Sequence, residues 1–266
     1  MNRDFTLSDR EVADYFDSGF VGPYTLREDM TDIRAHVVEL LASEGPYGRA
    51  ELDPMILDGH PDGAQSLDRH LDCRLIANLC TDNRITDRLA TLYGDDLLLL
   101  YSQFMNKRPS GDEVGWHQDK GFFGLHPPIT PNVWVAIDEA TERNGCLQLV
   151  PGSNKWDIDH IRTAREDNVF EYEADPEFVE DNISQGDITT MELEAGEFVI
   201  FSESTLHRSL PNQTHNRRLG LSVRATLPYA RFPENPIRGS PKLASLCGDN
   251  LPQVHRTEAL PQECRH

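Results

Sequence analysis

Apolar positions in the first third of the chain recur with a helical period, and after residue 95 the pattern changes to that of short strands. Ser8 is placed to cap a helix over DREVADYFDSGF, which stops at Gly19. From Arg27 to about Ser43, Met30, Ile33, Val37, Val38, Leu40 and Leu41 fall at helical spacing. A Gly/Pro-rich loop over 44–63 follows, and two more helical stretches are expected over about 66–79 and 84–93. Beyond Asp95, LLLLYSQFMN, NVWVAID, GCLQLV, DITTMELE, GEFVIFS and RRLGLSVRATL read as strands separated by Gly, Pro and Asn turns. Short strands after a helical layer predict a curled sheet or barrel with helices packed outside it. The expected organisation is one domain over 1–266. Its parts are helical to about 94, barrel-forming over about 95–228, and irregular over 229–266, where the tail carries prolines and no clear period.

Composition narrows the classes. A chain of 266 residues can bury one large core, and a formal charge of −20 would repel a phosphate backbone, so no nucleic-acid partner is expected. The longest apolar run, Leu97 to Tyr101, is too short to span a membrane, and MNRDFTLSDREV has no apolar signal core. A cytoplasmic protein is the expectation. Its five cysteines, Cys73, Cys80, Cys146, Cys247 and Cys264, form no C-x-x-C pair and read as reduced thiols, with Cys73 and Cys80 as packing residues of a helix.

Candidate chemistry begins with histidine and aspartate two apart, which occurs at His60/Asp62, His70/Asp72 and His117/Asp119. In so acidic a chain the pattern alone decides nothing. His70 and Asp72 lie in a stretch that reads as helix, where positions i and i+2 point apart. His60 and Asp62 lie in DGHPDG, which is turn chemistry. His117 and Asp119 lie between sheet segments, where an extended backbone sends i and i+2 to one face. An iron(II) site of two imidazoles and one carboxylate then needs a second histidine. His126, His160, His207, His215, His255 and His266 remain open, and His207, directly after GEFVIFSEST, has the best context.

Several blocks resemble one family. WHQDKGF, VWVAIDEATERNGCLQLVPGSNK and TLHRSLPNQTHNRRLGLSVR, with the opening DREVADYFDSGFVGPYTL, resemble in order the motifs of the phytanoyl-CoA dioxygenase (PhyH) family of iron(II)/2-oxoglutarate-dependent oxygenases. The resemblance implies a double-stranded β-helix (jelly-roll, cupin-like) barrel. It implies His117, Asp119 and His207 as iron ligands, and Arg218, eleven residues after His207, as the group that holds 2-oxoglutarate. A guanidinium suits the far carboxylate of that co-substrate. Strand parity agrees, since Arg217 shares a face with Leu219, Leu221 and Val223, while Arg218 shares the other with Gly220, Ser222 and Arg224. Ser209, Gln103 and Trp134 match positions that support or line the co-substrate in some relatives, and Trp134 reads equally as core packing. Arg224 reads as a substrate contact or a surface ion pair, and Lys120 as a second substrate contact.

The implied reaction uses iron(II), 2-oxoglutarate and O2 to hydroxylate a C–H bond of a small molecule, in a tailoring step of biosynthesis. Halogenating relatives lack the carboxylate, which Asp119 supplies here. Epimerisation, ring closure and desaturation use the same ligands and stay open. A zinc hydrolase on the same three ligands and a silent ligand-binding barrel are the rivals from other classes. Lys107, Arg108 and Lys120 are the cations that could offset the charge of an anionic substrate. The acidic segment 157–185, between the two metal-bearing blocks, is a candidate lid or else a structured, solvent-facing helical insertion.

Overall fold

The computed structural model describes residues 3–46, 63–111, 113–120, 122–163, 165, 168–234, 242–248, 255 and 257–264. Helix α1 (Asp9–Ser18) starts at the expected cap, with Ser8 Oγ accepting from the Glu11 N–H and Glu11 Oε2 accepting from the Ser8 N–H. It ends at Gly19, whose left-handed backbone directs its N–H to the Tyr15 carbonyl. Strand β1 (Phe20–Thr25) follows, where no strand was expected. Pro23 breaks its pattern and is tolerated because β1 is an edge strand, paired with one neighbour only. Helix α2 (Thr31–Ala42) buries Ile33, Val37 and Leu40.

The helix expected over 66–79 is broken. A 3-10 turn at Arg69–Leu71 precedes α3 (Arg74–Cys80), and Asp68 before it has a left-handed backbone. The fully buried Arg69 explains the break, because its guanidinium bonds the Asp72 carboxylate and the carbonyls of Leu40 and Gln65. Helix α4 (Asn83–Tyr93) is capped by Asp82. The loop 47–62, with His60 and Asp62, lies outside the described residues.

The strands are β2 (Leu97–Lys107), β3 (Val114–His117), β4 (Asn132–Ala136), β5 (Leu147–Leu149), β6 (His160–Arg162) and β7 (Tyr172–Ala174). After helix α5 (Pro176–Asn182) come β8 (Thr189–Met191), β9 (Glu197–Phe201), β10 (His207–Ser209), β11 (Arg218–Thr226) and β12 (Ala244–Cys247). They form a six-stranded sheet in the order β1-β9-β4-β11-β2-β12, a four-stranded sheet in the order β3-β10-β5-β8, and the hairpin β6-β7. All pairings within the strands are antiparallel. From β2 to β5 and again from β8 to β11 the chain passes from one sheet to the other at each strand.

Period-two alternation divides the large sheet into two faces. Leu219, Leu221 and Val223 of β11, Val133 and Val135 of β4 and Phe198 and Ile200 of β9 pack against Tyr15, Ile33, Val37, Ile76, Ile85 and Leu89 of the helical layer. The opposite face sends Trp134, Ala136, Val199 and Phe201 into a second cluster, which Leu147, Leu149 and Met191 of the small sheet complete. Each buried Val, Leu, Ile, Phe or Met among them contributes about 1.5–3 kcal/mol by leaving water. The space between the sheets is therefore an apolar interior, and polar side chains within it require a reason.

Two expectations for the tail are corrected. Within 229–266, β12 adds to the large sheet beside β2. Its four residues are too few to show a period, and only the partner strand defines them. Cys264 is joined to Cys73 in a disulfide, with His36 Nε2 at 3.3 Å from Cys73 Sγ, whereas Cys80, Cys146 and Cys247 are free thiols. A separation of 191 residues leaves no local trace of that pairing. Among the described residues, no helix is long and apolar enough to cross a membrane.

Candidate metal centre

Register brings the first two groups together. Strands β3 and β10 pair antiparallel with His117 opposite His207, and the ring centroids are 4.1 Å apart. Asp119 lies two residues beyond the end of β3, in a turn closed by the Phe122 N–H on its carbonyl. Its Oδ1 is 3.8 Å from His117 Nε2, and its Oδ2 is 3.7 Å from His207 Nε2. The three donor atoms lie within 4.8 Å of one another.

The far side of each imidazole explains its orientation. His117 Nδ1 is 2.8 Å from the Gly115 carbonyl, and His207 Nδ1 is 2.9 Å from that of Thr205. A carbonyl only accepts, so each Nδ1 carries the proton and each Nε2 keeps its lone pair for the interior. Burial, followed by the neighbouring His207, pulls the pKa of His117 down to about 3, and burial lowers that of His207. For Asp119, burial acts upward but is outweighed by Arg224, His207 and His117, so its carboxyl is held well below the usual range. Two neutral imidazoles and an ionised carboxylate are the donor set that a divalent cation needs, so these residues fit an iron(II) ion.

Arg218 opens β11 and is 3% exposed. Its Nη2 donates to the Gly145 carbonyl at 2.8 Å and its Nη1 faces the Met105 carbonyl at 3.5 Å. Its Nε is buried without a hydrogen-bond partner among the described residues. Burial lowers its pKa to about 10. A buried cation with an orphaned donor fits an anionic ligand, as a co-substrate carboxylate would be. Arg217 instead turns outward to Asp138, with Nε at 3.2 Å from Oδ2.

Trp134 faces the interior, with the Arg218 guanidinium 5.3 Å from its ring centroid. It is a packing residue and a neighbour of Arg218 together. Gln103 is buried opposite Ser222 of β11, and its Oε1 accepts from the Tyr101 hydroxyl. Ser209 is buried on β10 and follows His207 by two, so it shares that residue's face. Arg224 is not at the surface: it is 9% exposed and donates from Nη1 to Asp119 Oδ2 at 2.7 Å. Lys120 turns the other way from Asp119 and bonds the exposed Asp157 at 2.6 Å. Lys107 Nζ donates to the carbonyls of Ser209 and Leu210 at 2.9 and 2.6 Å.

Segment 157–185 supplies contacts that the sequence did not predict, and His160, left open as a second ligand, is not among the three converging donors. His160 Nε2 accepts from the N–H of Gln118, the residue between His117 and Asp119, at 2.9 Å. The Gln118 side chain donates to the carbonyls of Ser153, Trp156 and Ser204. Phe170 meets the His117 ring edge-on at 5.1 Å, and Asn168 Oδ1 accepts from the Gly115 N–H at 3.0 Å. The segment thus carries a hairpin and a short helix fastened to β3, and serves as a wall behind the histidine. No periodicity announces such bonds, because each depends on a strand far away in sequence.

Two imidazoles and a carboxylate converging between antiparallel sheets form the donor set of mononuclear non-haem metal proteins. The chain belongs to the phytanoyl-CoA dioxygenase (PhyH) family, whose model matches residues 5–220. It is 30% identical over 130 residues to "Dioxygenase lolE1" of Epichloe uncinata, covering 49% of this chain and 46% of that protein. It is 29% identical over 127 residues to "Phytanoyl-CoA dioxygenase 1" of Oryza sativa subsp. japonica, covering 47% and 43%. The alignments thus span less than half the length of these curated relatives. Among solved structures, "CytC3 with Fe(II) and alpha-ketoglutarate" superposes with a TM-score of 0.70 at 25% identity, covering 96% of this chain and 93% of that one.

Proposed function

We propose that this chain is an iron(II)- and 2-oxoglutarate-dependent oxygenase that hydroxylates a C–H bond of a small molecule. His117, Asp119 and His207 hold the iron, and Arg218 holds the far carboxylate of 2-oxoglutarate. The observation that carries this reading is the convergence of the three donor atoms within 4.8 Å, on the interior side that also bears the buried Arg218. The order of strands in the two sheets supports a closed double-stranded β-helix formed by β2 to β5 and β8 to β11, within a single domain.

Iron(II) with 2-oxoglutarate supplies, when bound, the oxidising power to take hydrogen from a substrate carbon. The chain's own residues do the rest. Gly115 and Thr205 hold both imidazoles in the tautomer that offers Nε2. Asp119 brings one negative charge, and Arg218 offers its unused Nε–H to an anion. The apolar cluster around Trp134, Leu149 and Phe201 keeps bulk water from that end of the interior. Ser209, Gln103 and Trp134 line the co-substrate's side. Lys107 and Lys120 are already bonded within the protein, which favours a small substrate over a large polyanion. A zinc hydrolase on the same triad would leave Arg218 without a task.

Anaerobic addition of iron(II) and 2-oxoglutarate tests the reading. A weak visible charge-transfer band, absent in H117A, is expected, followed by succinate release with the substrate from a metabolite panel. Metal binding with no band and no 2-oxoglutarate binding would refute it.

A further inference from the structure

Strand β11 presents two arginines to the interior, six residues apart on one face, which separates their backbones by about 20 Å. They do different work. Arg218 meets backbone carbonyls and keeps a donor in reserve. Arg224 is committed to Asp119, with Nη1 at 2.7 Å from Oδ2 and side-chain exposures of 10% and 9%. Its guanidinium also lies 5.5 Å from the centroid of the Phe123 ring. A charge-assisted hydrogen bond and an aromatic ring therefore hold the cation at two points.

The carboxylate it touches is placed almost symmetrically. Oδ1 is 3.8 Å from His117 Nε2 and Oδ2 is 3.7 Å from His207 Nε2. From that position a carboxylate can bind an ion through either oxygen or chelate it through both. Chelation would use a coordination position that a two-histidine, one-carboxylate centre leaves open for its reactants. Arg224 breaks the symmetry, because among the described residues its bond to the carboxylate is to Oδ2 and not to Oδ1.

We propose that Arg224 is a positioning residue of the metal centre. It holds Asp119 as a one-oxygen donor and so preserves the position that a diatomic reactant takes after 2-oxoglutarate has bound. This rests on the oxygenase reading above and adds to it a named residue on which the vacancy depends.

The test compares the unsubstituted protein with R224Q and R224K, each loaded anaerobically with iron(II) and 2-oxoglutarate and then exposed to nitric oxide as a diatomic probe. Two signals are read: the visible charge-transfer band, which reports bound co-substrate, and the high-spin iron–nitrosyl EPR signal per iron. R224Q is expected to keep the band and to lose the nitrosyl signal by about tenfold or more. R224K, which restores a charged donor to Asp119, is expected to recover at least about half of that signal. A parental nitrosyl signal in R224Q overturns the proposal. So does loss of both signals in an R224Q protein that melts like the parent, since Arg224 would then serve the ion or co-substrate as a whole. Where glutamine fails to fold, R224M, of similar length and without a donor, takes its place with the same outcomes. Absence of the band from the unsubstituted protein refutes the oxygenase reading itself, and is seen before any variant is made.

Discussion

Gly220 couples the packing of the interior to the position of Arg218, and G220A tests that coupling. A Cβ at this position would lie 2.2 Å from Cζ2, 2.5 Å from Cε2 and 2.9 Å from Cη2 of Trp134. Carbon atoms in contact prefer about 3.5–4.0 Å, so the indole has to retreat by about 1 Å or more. It has little room, because β4 lies between β9 and β11 and the ring is 3% exposed among Val199, Phe201 and Leu149. Overpacking of this kind costs about 1–3 kcal/mol, or about 2–12 °C of Tm in a chain of this size. The same retreat displaces the surface beneath the Arg218 guanidinium, 5.3 Å from the ring centroid. A misplacement of about 1 Å in a binding group is worth up to about 100-fold, and 2-oxoglutarate affinity in G220A is expected to fall by at least about tenfold. Thermal melting and anaerobic titration of the charge-transfer band measure the two effects. In the double variant W134F/G220A the smaller ring should recover part of both losses. Parental Tm and affinity in G220A would refute the reasoning, as would losses that simply add in the double variant.

Replacing His160 with phenylalanine leaves the Gln118 N–H without its acceptor. It should lower iron(II) affinity by about tenfold, read by metal titration against the unsubstituted protein, and unchanged affinity would show that the wall does not position the triad. His70 is buried against Ser102 Oγ at 2.7 Å, with Asp68 Oδ1 at 3.8 Å, and burial lowers its pKa to about 3. The unfolded chain takes up this proton near pH 6.5 and the native chain does not. Stability should therefore fall as pH drops from about 6.5 toward 3, by up to about 1.4 kcal/mol per pH unit from this residue. Urea unfolding of H70L at pH 7 and pH 5 should show a shallower loss, with His117 and His207 supplying a remainder of the same sign, and an undiminished slope would show that His70 is charged in the native protein. Thiol titration of the denatured, unreduced protein should find three of the five cysteines free, whereas five would show that Cys73 and Cys264 are not joined.

Features that depend on neighbours along the chain could be read from the residues alone. The Ser8/Glu11 cap and the stop at Gly19 are local hydrogen bonds and a local backbone geometry, and both were legible. The apolar faces of β4, β9 and β11 follow from a period of two, which also sends Arg218 inward and Arg217 out. The same rule pointed to the segment that carries His117 and Asp119. Only His117 lies on the strand, and the turn after β3, not alternation, brings Asp119 round; resemblance to a family added His207. The remainder came from how distant segments meet in the folded chain. Folding placed His207 opposite His117 by strand register, gave Arg224 the Asp119 carboxylate as a partner, and set His160 against Gln118. It also paired Cys73 with Cys264 and added β1 and β12 to the edges of the large sheet. Periodicity and capping are read within a few residues, whereas strand register, buried ion pairs and edge pairing join groups tens to hundreds of residues apart. Their free energy exists only once the intervening chain has folded.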